Sequence, residues 1–304
     1  MSQTEFHKAS GLFTGLMLLL LLGLPVLAVN GLIIDESTDD EGYGWTLMKV
    51  WGDHYEAGYA HGWLLADEIV EGYDDVSATV VRWGYSWPEL RFAINTYYSE
   101  MPDYIETELT GIADGVYDRT GESIDWIDLL CVNMIGDAAY LCRSLSAWGS
   151  TTDGEHSTVT LRRLDYSDMG MDMVYHHVVC MWCVEDQPDL INFGWPGYVT
   201  VVTGVNEYGV VTSLHDWNSS SGTILTNSMG RTIASRYVLT LFDSPDLSWQ
   251  ADSAFAMLSD YHAGTGRAIN FMAPEGQGGR FEKPWLFRAA QTTPGLLWRR
   301  YSLY

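Results

Sequence analysis

Two kinds of pattern run along this chain, and they are segregated rather than interleaved. Gly44–Trp51 alternates apolar and polar positions and predicts a first strand. From Asp53 a helical pattern runs to about Tyr73, and Val76–Arg119 continues it, with Leu109, Ile112 and Val116 at helical spacing. Trp87-Pro88-Glu89 marks a break and a fresh helix start, because proline suits a first turn. Ile124–Asn133 is a short apolar run that fits either a helix or a strand. The texture changes at Ser157. Ser157–Leu161, Met173–Val184, Leu190–Phe193, Val199–Gly204 and Gly209–Leu214 read as strands, with turn signals between them at Gln187-Pro188-Asp189, Trp195-Pro196-Gly197 and Asn206-Glu207-Tyr208-Gly209. These form a β-meander. Thr232–Phe242 and Ser248–Leu258 return to helix, and Gly266–Ala273 is a last strand ended by Pro274. Helices, strands, helices and a strand without βαβ alternation predict α+β layers, not a doubly wound sheet.

The 304 residues suffice for one large core or two small ones. The formal net charge of -24 makes nucleic acid an unfavourable partner, since such a surface repels phosphate. Gly11–Val29 is almost wholly apolar, follows Lys8 and carries small residues at Val26 and Ala28. It reads as a secretory signal peptide or, uncut, as an N-terminal membrane anchor, so the folded part is expected outside the cytoplasm, secreted or held at the outer face of the membrane. The expected division is signal or anchor at 1–28, an acidic linker at 29–44 and one domain at 45–304. That domain has a helix-rich part to residue 141 and a β part from residue 142. Asn218-Ser219-Ser220 is a glycosylation sequon.

Four cysteines, Cys131, Cys142, Cys180 and Cys183, allow three disulfide connectivities in an exported protein, and the sequence does not choose among them. Cys180 and Cys183 form a C-x-x-C inside a strand-like run, where residues three apart face opposite sides. Buried strand cysteines are expected there, and no second C-x-x-C completes a zinc set. His54, His61, His176 and His177 invite a metal-dependent hydrolase reading, but their spacing is not H-E-x-x-H. Gly58 and Gly62, one helical turn apart, predict close approach of another element.

Tyr140–Tyr166 concentrates the candidate chemistry: Cys142, a serine-rich run, a turn at Asp153-Gly154, a β-rich run, then Arg162-Arg163-Leu164-Asp165. A hairpin here returns Arg162 and Asp165 beside Cys142. The chain has no G-x-S-x-G, Walker loop or dinucleotide fingerprint, and no cofactor is expected. Cys131 is the rival nucleophile, but its apolar surroundings read as core.

The order C-x-x-x-x-A-W-G, T-x-D-G, R-x-L-D-Y, W-P-G and G-x-N-E-x-G, with H-Y-E-x-G-Y-A-H-G upstream at residues 54–62, resembles the Cys-type N-terminal nucleophile hydrolases. Its nearest branch is the self-cleaving penicillin acyltransferase family, related to choloylglycine hydrolases and acid ceramidase. The likeness covers roughly residues 45–280. It departs from the family at Leu141, where a smaller residue would ease cutting, at Arg163, and over 281–304.

The resemblance implies a four-layer αββα sandwich and a precursor that cuts itself between Leu141 and Cys142. The freed α-amino group of Cys142 is then its own base. Arg162 holds the thiolate, Asp165 orients the amine, Asn206 and Asn270 donate to the oxyanion, and Tyr166 helps line the site. The implied partner is a small-molecule linear amide, cleaved or transferred through a thioester. A non-catalytic exported binding protein on the same fold is the alternative.

Overall fold

The computed structural model describes residues 29–40, 42–97, 101–134, 141–148, 158–165, 172–216, 229–241, 267–273, 285–291 and 296–301. The chain begins with β1 (Gly31–Thr38) and β2 (Gly44–Gly52), paired antiparallel. Five helices follow: α1 (His54–Leu64), α2 (Ala66–Arg82), α3 (Trp87–Tyr97), α4 (Asp103–Thr120) and α5 (Trp126–Met134). Then come the hairpin β3 (Leu141–Trp148) and β4 (Thr158–Asp165) and the meander β5 (His176–Val184), β6 (Leu190–Gly194), β7 (Thr203–Asn206) and β8 (Val211–Asp216). The order closes with α6 (Arg231–Leu241), β9 (Arg267–Ala273), β10 (Trp285–Gln291) and β11 (Leu296–Tyr301).

Among the described residues the main sheet has nine strands in the order β1-β2-β5-β6-β7-β8-β9-β10-β11, and β3 and β4 form a separate two-stranded sheet. Only β2 and β5 are parallel. The α1–α5 helices lie in the connection between them, as a parallel pairing requires. The fold class is therefore α+β, as the segregated patterns predict.

Local chemistry explains the helical layer. Asp53 caps α1 by accepting from the Glu56 amide at 2.8 Å, and Glu56 answers by accepting from the Asp53 amide at 3.2 Å. The helix predicted from Asp53 to Tyr73 is two helices, divided at Leu65. Gly58 and Gly62 of α1 meet Gly111 and Gly115 of α4. A methyl group on any of the four would press into the partner helix's backbone, so both turns of the crossing depend on small residues. The α5 stretch resolves as helix, with Arg91 of α3 clamping Asp125 at its start. One face of the sheet and the helices share the core, built from Met48, Val50, Leu65, Leu109, Ile112, Leu129, Val178, Trp182 and Val238 among others.

Three expectations change. The acidic stretch read as a linker contains β1, because exposed charges are well tolerated on an edge strand. The strand expected over Val199–Gly204 begins only at Thr203. The strand expected from Met173 starts at His176, after a 3-10 turn at Asp172–Tyr175. Beyond β9, two further strands extend the sheet over residues where no strand pattern is expected. The signal or anchor segment, the Asp153-Gly154 turn, the sequon and the Ser248–Leu258 helix lie outside the described residues.

Candidate functional site

The β3–β4 hairpin sets Cys142 opposite Leu164, Leu141 opposite Asp165 and Ser144 opposite Arg162. Opposed positions share a side of a ribbon and neighbours alternate, so positions 142 and 162 fall on one side and 141 and 165 on the other. The bond between Leu141 and Cys142 lies within β3. Arg162 reaches the main sheet, its Nη2 donating to the Leu214 carbonyl of β8 at 3.0 Å. β3 packs against β8, which also packs against α6. Ser213, the neighbour of Leu214, pairs with Asn270 of β9 on one side and Thr203 of β7 on the other. Arg162 and Asn270 thus meet β8 directly, β3, which carries Cys142, packs against it, and Asp165 is paired with Leu141 of β3. The side chains of Cys142, Asp165 and Asn270, and Tyr166 as a whole, lie outside the described residues.

Asn206 is placed elsewhere. It ends β7 and forms the turn into β8. Its Oδ1 accepts from the amides of Tyr208 at 3.1 Å and Val210 at 3.0 Å, and its Nδ2 donates to the Leu239 carbonyl of α6 at 2.9 Å. Gly209 completes the turn with φ +78°. The Asn206 carboxamide and the Arg162 guanidinium meet opposite ends of the β7–β8 hairpin.

A second group of polar residues surrounds Trp195–Val202, a non-strand segment buried throughout. Buried irregular backbone must find partners for its polar groups, and here each partner is a side chain or a neighbouring main chain. His61 Nε2 accepts from the Gly197 amide at 3.0 Å. Asn133 Oδ1 accepts from the amides of Val199 and Thr200, and its Nδ2 donates to the carbonyls of Gly197 and Leu129. Asn192 Nδ2 donates to the carbonyls of Tyr198 and Thr200. Arg236 Nη1 donates to the Val199 carbonyl at 3.2 Å. The Leu214 amide donates to the Val202 carbonyl, which ties this segment to the strand that receives Arg162.

Arg236 itself is fully buried. Its Nη2 donates to Glu108 Oε1 at 2.9 Å, and its guanidinium lies 5.1 Å from the Trp182 ring. His54 Nδ1 meets the same Glu108 oxygen at 2.8 Å from a partly exposed position. The sequence signal for Asn133 was a single amide in an apolar run. Glu108 and Arg236 carried no such signal.

Burial holds the His61 imidazole down at about 4, so it is neutral, and its Nδ1 lies 4.0 Å from Cys180 Sγ. Burial pushes the Cys131 thiol up to about 12 and raises Cys180 well above its ordinary value. Neither suits a nucleophile at neutral pH. Cys180 and Cys183 alternate between the buried and the half-buried side of β5, as expected of a strand. Cys131, Cys180 and Cys183 are free thiols. The histidines do not converge: His54 meets Glu108, His61 meets Gly197, and His176 Nε2 meets Thr46 Oγ1 at 3.0 Å. Among the described residues no three His, Cys, Asp or Glu side chains are grouped as metal ligands, and no helix is long and apolar enough to cross a membrane.

No family model matches the chain. It is similar to an uncharacterized protein of Archaeoglobus fulgidus, at 27% identity over 263 residues, an alignment that takes in 75% of this chain and 43% of that protein. The chain therefore spans less than half the length of the relative it matches.

Proposed function

We propose that this protein is an exported N-terminal nucleophile hydrolase that cuts itself before Cys142 and then cleaves or transfers the acyl group of a linear amide. The observation that carries the reading is the register of the hairpin. It sets the Leu141–Cys142 bond against Leu164 and Asp165, with Arg162 two pairs away and bonded into the main sheet. The amino group released by the cut is a main-chain atom of residue 142, in the strand paired with β4. An α-amino group ordinarily titrates at about 7.7–8.0, so it accepts the thiol proton near neutral pH.

The thiolate then adds to the amide carbonyl carbon, and the oxyanion that forms needs hydrogen-bond donors. The carbonyl reforms as the C–N bond breaks, and the leaving amine takes the proton from the Cys142 ammonium. The thioester that remains is released by water or by an acceptor amine. Arg162 holds the thiolate by charge and Asp165 orients the amine. Asn270, whose position pairs with Ser213 beside the Arg162 contact, is the preferred oxyanion donor. Asn206 is the less favoured donor, because its Nδ2 is bonded to Leu239 at the turn end of the β7–β8 hairpin, opposite the end that meets Arg162.

The separate β3–β4 sheet, which packs against β8 of the main sheet, supports a further β-layer and so the four-layer αββα arrangement. The apolar N-terminal stretch and the acidic charge support export.

The test is the intact mass of protein made without residues 1–28, beside its Cys142→Ala variant. Two fragments meeting at Leu141/Cys142, absent from the variant, are expected. One uncut chain in both would sink self-cleavage. The placement of Asn206 in the β7–β8 turn, away from the Arg162 contact, favours a second reading, a binding protein that keeps the fold without catalysis. It would show that single uncut chain, and ligand binding that survives Cys142→Ala.

A further inference from the structure

The solvent side of α1 carries an aromatic row that the chemistry at Cys142 does not use. Tyr55, Tyr59 and Trp63 stand one turn apart, with ring centroids 6.3 and 6.2 Å apart and planes inclined by 32° and 20°. Tyr55 is 39% exposed, and Tyr59 and Trp63 are half-buried. The glycine crossing holds α4 so close that two exposed carboxylates of that helix edge the row. Tyr55 Oη donates to Asp114 Oδ2 at 2.7 Å, and Tyr59 Oη donates to Asp118 Oδ2 at 2.9 Å. The hydrogen bond to Asp114 raises the Tyr55 phenol to about 12, and desolvation with the Asp118 bond does the same for Tyr59, so both rings stay neutral beside negative charge. The third ring has its cation from within the chain, since the Arg119 guanidinium lies 5.5 Å from the Trp63 centroid. Among the described residues no guanidinium lies over Tyr55 or Tyr59.

We propose that this row docks an extended segment of a partner protein that carries arginine at alternate positions, with one guanidinium over each tyrosine ring and against its carboxylate. The argument is charge complementarity repeated in a row. Each tyrosine pairs a ring face, which attracts a cation, with a carboxylate that attracts it further, and Arg119 on Trp63 shows the contact that a guanidinium makes there. Same-side residues of an extended chain recur every 6.6 Å or so, about twice the rise per residue, which suits rings 6.3 and 6.2 Å apart. A docked helix would need an apolar groove, whereas this row is one ring wide and edged by Asp114 and Asp118. The proposal is independent of the chemistry at Cys142.

The experiment titrates the protein into a fluorescein-labelled glycine peptide with arginine at alternate positions, followed by fluorescence anisotropy at low salt. A peptide of the same composition with its arginines contiguous is the comparison. The alternating peptide is expected to bind at least about threefold more tightly, and Tyr55→Leu/Tyr59→Leu to remove that preference and weaken binding at least about fivefold. Asp114→Asn/Asp118→Asn should weaken it as much, whereas Glu71→Gln/Asp74→Asn, which removes the same charge from α2, should leave it within about twofold. Should the tyrosine pair fail to fold, Tyr55→Leu alone, at the exposed end of the row, carries the same comparison. Equal binding of the two peptides, or equal loss in the α2 pair, means attraction to bulk negative charge and overturns the proposal. Arginine amide that displaces the alternating peptide at the same total arginine concentration means that the row takes single cations, and overturns it. A dimer in sedimentation velocity that Tyr55→Leu/Tyr59→Leu abolishes means that a second copy covers the row, and overturns it too.

Discussion

His61 Nε2 accepts the Gly197 amide hydrogen at 3.0 Å, across 136 residues of sequence and with neither group exposed to water. The acceptor must be an unprotonated nitrogen, so the bond fixes the tautomer: the single ring hydrogen sits on Nδ1, toward Cys180. One imidazole thereby joins α1 to the buried segment behind β7 and β8.

The first prediction concerns pH. His61 titrates near 4 in the folded protein and near 6.5 when unfolded. The unfolded chain binds the extra proton, so stability is full above about 6.5 and falls as pH drops toward 4. The loss approaches about 3 kcal/mol. Many carboxylates titrate in the same range, so the measurement is a difference. Urea midpoints of the native protein and of His61→Gln, a neutral replacement, are followed from pH 7 to pH 4. The native protein should lose stability more steeply. Parallel curves would show that His61 is not held neutral by the fold.

A second prediction follows from the Glu108–Arg236 pair. Both partners are fully buried, and removing one leaves a charge in the core. Glu108→Gln and Arg236→Met should each cost about 3–5 kcal/mol. The double variant should cost clearly less than the sum, because no charge is then stranded. Denaturant unfolding of the four proteins gives the coupling directly, and simple additivity would mean that the pair is not coupled.

Two glycines should respond to the same substitution with opposite signs. A Gly62 methyl would meet the Ile112 carbonyl and main chain of α4, so Gly62→Ala should destabilise by at least ~2 kcal/mol. A Gly72 methyl would sit at ordinary contact distance, 3.6 Å, from Met173, inside a helix. Gly72→Ala should stabilise by roughly 0.5–1 kcal/mol, since alanine loses less freedom on folding. Thermal unfolding of both decides it, and a Gly62→Ala protein as stable as the native one would refute the α1–α4 crossing.

Asn206 separates structure from catalysis. Asn206→Asp keeps the Oδ acceptor for Tyr208 and Val210 but loses the donor to Leu239 and buries a charge. It should destabilise by about 2 kcal/mol or more at neutral pH. If Asn206 serves only the turn, the folded fraction keeps its rate of cutting before Cys142. A loss of cutting in fully folded Asn206→Asp would return the side chain to the oxyanion.

Much of the fold was legible because periodicity is local. The meander from β5 to β8 and the helices before it follow from which neighbours are apolar. Gly58 and Gly62 announced a close approach. β1 was misread because charge in a strand looks like charge in a linker until the strand is known to be an edge. β10 and β11 were invisible for a related reason, since their apolar and basic residues alternate too weakly to call.

The candidate site divides along the same line. The sequence by itself determined that a hairpin returns Arg162 and Asp165 to Cys142, because a hairpin is a short-range object whose register its strands set. Tertiary structure alone decided that Arg162 reaches Leu214 and that Asn206 spends its amide on Leu239. It also decided that Glu108 and Arg236, 128 residues apart, share the core. Those contacts depend on which strands lie side by side and on what the helices cover. That is settled by burial of whole faces, a quantity no single stretch of sequence contains.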